Sequence, residues 1–381
     1  MNNMQQQFPH TNDLCHLNHA AMGPWPQCAI DAIDSFSKEN LELGSKHYEH
    51  WLKTEHQLRQ GLAALINAPS IDDIALLKNT SEGLSVIAYG IDWQPDDEIL
   101  LLDQEFPSNR IVWESLQDKG VNVRVIDTNN TDNVEALLIA NSTAQTRLIT
   151  VSTVQYASGL RVDLKQLSQH CQKNNILLCI DAIQSIGALP FDLEQTPVDF
   201  IVADGHKWLL GPEGIALFYC NEKNRNALKL NQYGWHMVEA LGQYDRHEWE
   251  IAKTARRFEC GSPNMLGIHG LNASVQLLLE VGMDEVSRKV IANTRYLIDG
   301  LDKLEGIKLL SSTQKNKHGG IVTFCHDCIS ADALYEGLKE KNILCAHRGG
   351  GIRFSPHFYT ARTQLDFALN AINELIKRAL I

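Results

Sequence analysis

Ile176-Leu177-Leu178-Cys179-Ile180-Asp181 and Phe200-Ile201-Val202-Ala203-Asp204-Gly205-His206-Lys207 decide how this chain folds. Each is a strand-length apolar run closing on polar groups, the pattern of a strand buried on both faces of a parallel sheet. Ligands of open α/β sheets lie beyond the carboxyl ends of the strands, so Asp181 and Lys207 are expected on one rim. Trp208-Leu209-Leu210 follows directly; desolvation there lowers the lysine pKa and favours the neutral, nucleophilic amine. Such an amine forms a Schiff base, and a carboxylate facing it suits pyridoxal 5'-phosphate (PLP). The lysine holds the aldehyde and the carboxylate keeps the pyridine nitrogen protonated. On their own the two residues serve equally well as a strand-end salt bridge.

Working outward, strand and helix patterns alternate. Ile74 to Leu77, Glu98 to Leu102, Val121 to Ile126, Leu148 to Ser152 and Ile215 to Tyr219 read as strands; Ser108 to Lys119 and Leu164 to Lys173 read as helices. This predicts an α/β fold, a doubly wound and mainly parallel sheet in a large domain over 26–283. Residues 1–25 form an N-terminal arm, irregular over Leu17 to Pro24, and 284–381 a small C-terminal α+β domain. Two helices lie within Gln27 to Asn67, where His47, His50 and His56 read as a solvated face rather than a metal site. Ser262 reads as the N-cap of a helix to Val281 with Pro263 at its first position. Asn221 to Lys253 reads as an excursion closing over the site.

Asn79-Thr80-Ser81-Glu82-Gly83 opens a helix and admits two readings, a capping box that needs no ligand or an anion site for a phosphate. Phe106, beyond the Glu98 to Leu102 strand, is core or a face for a flat ring. Cys325-His326-Asp327-Cys328 lacks the second pair of a zinc ribbon. Arg353 is an edge charge unless the substrate carries a carboxylate, which a guanidinium grips bidentately.

The chain has 381 residues, 44% of them hydrophobic, and a net charge of -12, which argues against nucleic acid or an anionic membrane as the main partner. No signal peptide or membrane-spanning run stands out, and nine scattered cysteines fit a reducing compartment, so the expectation is a cytoplasmic enzyme.

The Asp181-x-x-Gln184 to His206-Lys207 block, together with Arg257 to Asn264, resembles the class V aminotransferase family of PLP enzymes, which includes cysteine desulfurases, selenocysteine lyases and isopenicillin-N epimerases. The resemblance implies PLP-dependent transferase fold type I, with Lys207 carrying the cofactor as an internal aldimine. Asp181 would pair with the ring nitrogen, Gln184 would meet the ring hydroxyl and Phe106 would stack on the ring. Thr80, Ser81 and His206 would hold the phosphate, with Ser262 supplied by the partner subunit of a homodimer with shared sites. Arg353 would bind the substrate carboxylate; Leu17-Asn18-His19-Ala20 is closer to the epimerase-like branch and sets Asn18 on the substrate side. Family desulfurases carry a cysteine loop before the arginine strand. Here His347-Arg348-Gly349-Gly350-Gly351 is short and has none, Cys345 falls in an expected strand, and Tyr156 stands where desulfurases commonly have asparagine. Transamination of a small amino acid is therefore expected first. A desulfurase-like or selenocysteine-lyase-like β-lyase or an epimerase comes second, and a catalytically silent PLP-fold binding protein is the non-enzymatic alternative.

Overall fold

The computed structural model describes residues 2–9, 13–128 and 131–379. Its strands are β1 (Cys15–His16), β2 (Ile74–Leu77), β3 (Glu98–Leu102), β4 (Asn122–Ile126), β5 (Thr146–Ser152), β6 (Leu177–Asp181), β7 (Phe200–Asp204), β8 (Ala216–Cys220), β9 (Ile307–Leu309), β10 (Val322–His326), β11 (Ile343–Leu344), β12 (Ala346–Arg348) and β13 (Gly351–Phe354). The helices are α1 (Asn2–Gln7), α2 (Gln27–Leu43), α3 (Tyr48–Leu65), α4 (Thr80–Gly90), α5 (Ser108–Glu114), α6 (Val134–Asn141), α7 (Leu164–Asn174), α8 (Glu222–Ala227), α9 (Met265–Val281), α10 (Met283–Leu301), α11 (Ala331–Glu340) and α12 (Arg362–Ala379).

Seven strands form one sheet in the order β2-β8-β7-β6-β5-β3-β4. All run parallel except β8, which is antiparallel to both neighbours. Apolar side chains cover both faces, because β3, β7 and β8 are buried along their whole length. Burial on both sides is why these strands read as continuous apolar runs. A second, antiparallel sheet runs β12-β13-β10-β9 and packs its own core around Phe324, Phe354 and Leu365.

Three local expectations change. The strand expected around Cys345 is two: β11 pairs in parallel with β1, whereas β12 pairs with β13, so the chain switches sheets at Cys345. The N-terminal arm is partly regular, since it is paired through β1 and then through an Asn18 to Ser355 bridge. The long helix α9 is capped by Asn264, whose Oδ1 accepts from Gly267 N at 3.0 Å, and not by Ser262. Asn and Ser are comparable caps, and the position of the first turn decides between them.

Candidate active site

Adjacent parallel pairing of β6 and β7 brings Asp181 and Lys207 to one rim. Both are buried. Burial pulls the Lys207 amine down to about 8, although the Asp181 and Asp204 carboxylates oppose the shift. Burial pushes the Asp181 carboxyl up to about 7, against a hydrogen bond from Ile183 N and the lysine charge. A bare salt bridge would hold a charged lysine against a strongly acidic carboxylate; here desolvation dominates at both groups. Lys207 is followed by a tight turn in which Leu210 N donates to Lys207 O at 3.2 Å and Leu210 adopts a φ of +58°. The arm lies directly behind it. Gly23 N donates to His206 O at 2.8 Å, and a Cβ at Gly23 would lie 2.2 Å from Lys207 O.

Phe106 is partly exposed, its ring edge-on to Tyr156 at 5.1 Å, so it is a presented face and not core. Gln184 is held at both ends: Oε1 accepts from Trp208 Nε1 at 2.8 Å and Nε2 donates to Ala20 O at 3.0 Å. One amide hydrogen remains for a ligand. At the start of α4, Asn79 Oδ1 accepts from Glu82 N, while Glu82 reaches back to Lys78 N rather than to Asn79, so the capping box is shifted by one residue. Thr80 is committed to Asp204, accepting from its N–H and donating its own N–H to Oδ2, both at 3.2 Å. Ser81 is exposed, with its hydroxyl on Ser108. His206 stands 3.8 Å from Asp204 with its Nδ1 buried and unpaired. Thr80, Ser81 and His206 are thus brought together around the β7 exit. Ser262 is exposed and shares no hydrogen bond with them.

Arg353 is 2% exposed and no edge charge. Its Nη1 donates to Tyr156 O at 2.6 Å and its Nε is buried without a partner. Burial and the nearby Arg348 pull it down to about 10. Asn18 Oδ1 is likewise buried and unpaired. The hairpin before Arg353 closes at Gly349 and Gly350, with φ of +60° and +80°, a two-residue type I′ turn. Cys345 is buried, and desolvation pushes its thiol up to about 12.

Two features escaped the sequence reading. Glu105, next to Phe106, is buried and pairs with no cation among the described residues. Its carboxylate accepts from Ser152 N, Ser152 Oγ, Gln155 Nε2 and Asn109 Nδ2. Its donors are scattered along the chain, so no local motif announced it. The other is Asp204, whose Oδ1 is buried, accepts no hydrogen bond and faces His206 Nδ1 at 3.8 Å. The excursion 221–253 is not joined to Lys207 by any hydrogen bond among the described residues. It docks on the Arg256 to Cys260 segment, where a Cβ at Gly234 would lie 2.2 Å from Cys260 O. Among the described residues the one metal-like trio is Glu55, His236 and Glu259, already filled by Arg59, which bonds both carboxylates at 2.6 Å. His47 and His50 stack on one another at 5.2 Å.

Buried polar atoms with no hydrogen-bond partner occur on Asp204 and His206 at the β7 exit and on Arg353, whose charge acts on Lys207, and a further one lies on Asn18 of the arm. Buried polar groups are nearly always satisfied, so these orphans fit a polar ligand of PLP type.

A model of the family described as Aminotransferase class-V matches residues 15–365. A protein of Pyrococcus abyssi named "Probable cysteine desulfurase" is 25% identical over 394 residues, covering 98% of this chain and 97% of its own. The Bacillus subtilis "Uncharacterized aminotransferase YcbU" is 28% identical, covering 97% and 96%. Among solved structures, a complex of the cystine C-S lyase C-DES with its reaction product cysteine persulfide has a TM-score of 0.90 at 25% identity, covering 97% of this chain and 99% of that one. No helix among the described residues is long and apolar enough to cross a membrane.

Proposed function

The chain belongs to the class V aminotransferase family of PLP-dependent enzymes, and we propose that within it this enzyme is a C–S lyase acting on a sulfur amino acid of the cystine type. This replaces transamination as the first reading, because the Pyrococcus relative and the solved structure are named for sulfur chemistry. The observation that carries it is the Gly349-Gly350 turn before Arg353. A desulfurase that takes sulfur onto its own thiol needs a cysteine there, and the nearest candidate, Cys345, is buried and protonated. Elimination needs no protein thiol.

PLP held at this rim supplies an aldehyde for the substrate amine and an electron-accepting ring. Lys207, whose amine is pulled down to about 8 by burial, takes the α-proton. Asp181 holds a proton at the ring nitrogen, and Phe106 covers one ring face. His206, Ser81 and Thr80 hold the phosphate, together with Ser262 from the partner subunit of a homodimer. Arg353 grips the α-carboxylate through its free N–H groups, with Asn18 beside it. The sulfur leaves Cβ with its electron pair. Cystine and water then give cysteine persulfide, pyruvate and ammonia.

An amino-acid panel tests this. Pyruvate and persulfide from cystine, in equal amounts, is the expected result. Alanine with sulfide from cysteine would return the enzyme to the desulfurases. Keto acid formed with one equivalent of pyridoxamine phosphate would restore transamination, the second reading, which the name of the Bacillus relative favours.

A further inference from the structure

His357 is fully buried three residues beyond β13, and every polar atom on it is engaged. Its Nδ1 accepts from Phe358 N at 2.8 Å, so the ring proton is on Nε2, which donates to Trp208 O at 3.1 Å. Its own N–H donates to Thr360 Oγ1 at 2.9 Å and its carbonyl accepts from Asn293 on α10 at 2.9 Å. Burial pulls the imidazole down to about 3, so it is a neutral donor at any working pH.

The Trp208 it grips is the residue directly after Lys207. That residue is clamped from three sides. Its indole N–H is on Gln184, a Cβ at Gly187 would lie 2.3 Å from its carbonyl oxygen, and a Cβ at Gly320 would lie 2.3 Å from its ring. Of these contacts, the hydrogen bond to His357 is the one made from the segment that carries Arg353, four residues upstream.

We propose that His357 is a positioning residue: through the Trp208 carbonyl it fixes the Lys207 main chain relative to β13, and so sets the separation between the proton-moving amine and the carboxylate-binding guanidinium. The proposal rests on the roles given above to Lys207 and Arg353. A side chain serving only as core packing would need no such directed donor, because an apolar residue of similar volume fills space equally well.

The test compares holoenzyme carrying His357→Leu, which loses the donor, with His357→Gln, which keeps an amide N–H at similar reach. Cofactor uptake is followed by visible absorbance, folding by thermal denaturation, and turnover of cystine by kcat and KM. In apoprotein, the pH midpoint of Lys207 carbamoylation by cyanate is read by peptide mass. The leucine variant should load cofactor, lose at least tenfold in kcat, raise KM severalfold and move the carbamoylation midpoint. The glutamine variant should recover to within about threefold of wild type. Equal loss of Tm in both variants, with kcat, KM and midpoint of the folded protein as in wild type, overturns the proposal. Should the leucine variant not fold, His357→Asn, whose amide falls short of the carbonyl, takes its place, and an asparagine variant indistinguishable from glutamine overturns it. A wild-type protein that takes up no PLP sinks the reading of the site instead, and the carbamoylation arm still decides His357.

Discussion

The Lys207 amine lies over the Phe106 ring, 5.5 Å from its centroid. With Asp181 on the neighbouring strand end, the slot between amine and ring is bounded by a nucleophile, an acid and an aromatic face. Offset aromatic stacking is worth about 0.5–1.5 kcal/mol beyond area burial. Phe106→Ala should therefore weaken PLP binding by roughly three- to tenfold. Fluorescence titration of the apoprotein measures it, and unchanged affinity would remove Phe106 from the ring site.

The two shifted groups act oppositely on apoprotein stability. Asp181 titrates at about 7 when folded against 3.8 otherwise, so the folded chain binds the extra proton between them, and this contribution falls as pH rises from 3.8 to 7. Lys207 titrates at about 8 against 10.5, so the unfolded chain binds the extra proton, and stability is regained as pH rises from 8 to 10.5. Carbamoylation of Lys207 should show a midpoint near 8, and Asp181→Asn should lower it by removing the carboxylate that favours the ammonium. A midpoint near 10.5 would show the lysine to be solvated.

Cys345→Ala should leave persulfide formation from cystine within about twofold of wild type and cost about 1 kcal/mol of stability for a small buried side chain. Loss of activity at an unchanged Tm would reinstate a thiol mechanism.

Gly23→Ala places a methyl group 2.2 Å from Lys207 O, a backbone atom that cannot swing aside. The lysine turn must move, and a displacement of about 1 Å at a reacting group costs on the order of a hundredfold in rate. Steady-state kinetics on the folded variant check it; wild-type kcat would mean that the arm yields instead.

Arg59→Met strands the buried carboxylates of Glu55 and Glu259, and removing one partner of a buried pair costs about 3–5 kcal/mol. Urea denaturation reads this. Zinc binding by the variant, absent from wild type, would show that the arginine had been occupying a latent metal position.

The central sheet was legible because strands buried on both faces leave uninterrupted apolar runs, and Asp181 and Lys207 sit where those runs end. Other features depend on partners distant in sequence. Nothing local to Ala216 to Cys220 says that this strand runs against its neighbours. Arg353 looks like an edge charge until the Tyr156 carbonyl and a second sheet enclose it. Glu105 is set by donors from 109 to 155. Ser262 lost the cap to Asn264 because helix starts are the least determinate feature of an amphipathic pattern.

The N-terminal arm has a mechanical consequence. Ala20 N is fastened to Ser355 Oγ at 2.9 Å and Gly23 N to His206 O at 2.8 Å. Only Ala21 and Met22 lie between these anchors, and an extended residue spans at most about 3.6 Å. Ala21 N and Met22 N both return to Asn18 O at 3.0 Å, so the link is folded as a turn, and drawn out it reaches at most about 11 Å. A swing of the smaller sheet beyond that reach pulls on the peptide joining His206 to Lys207.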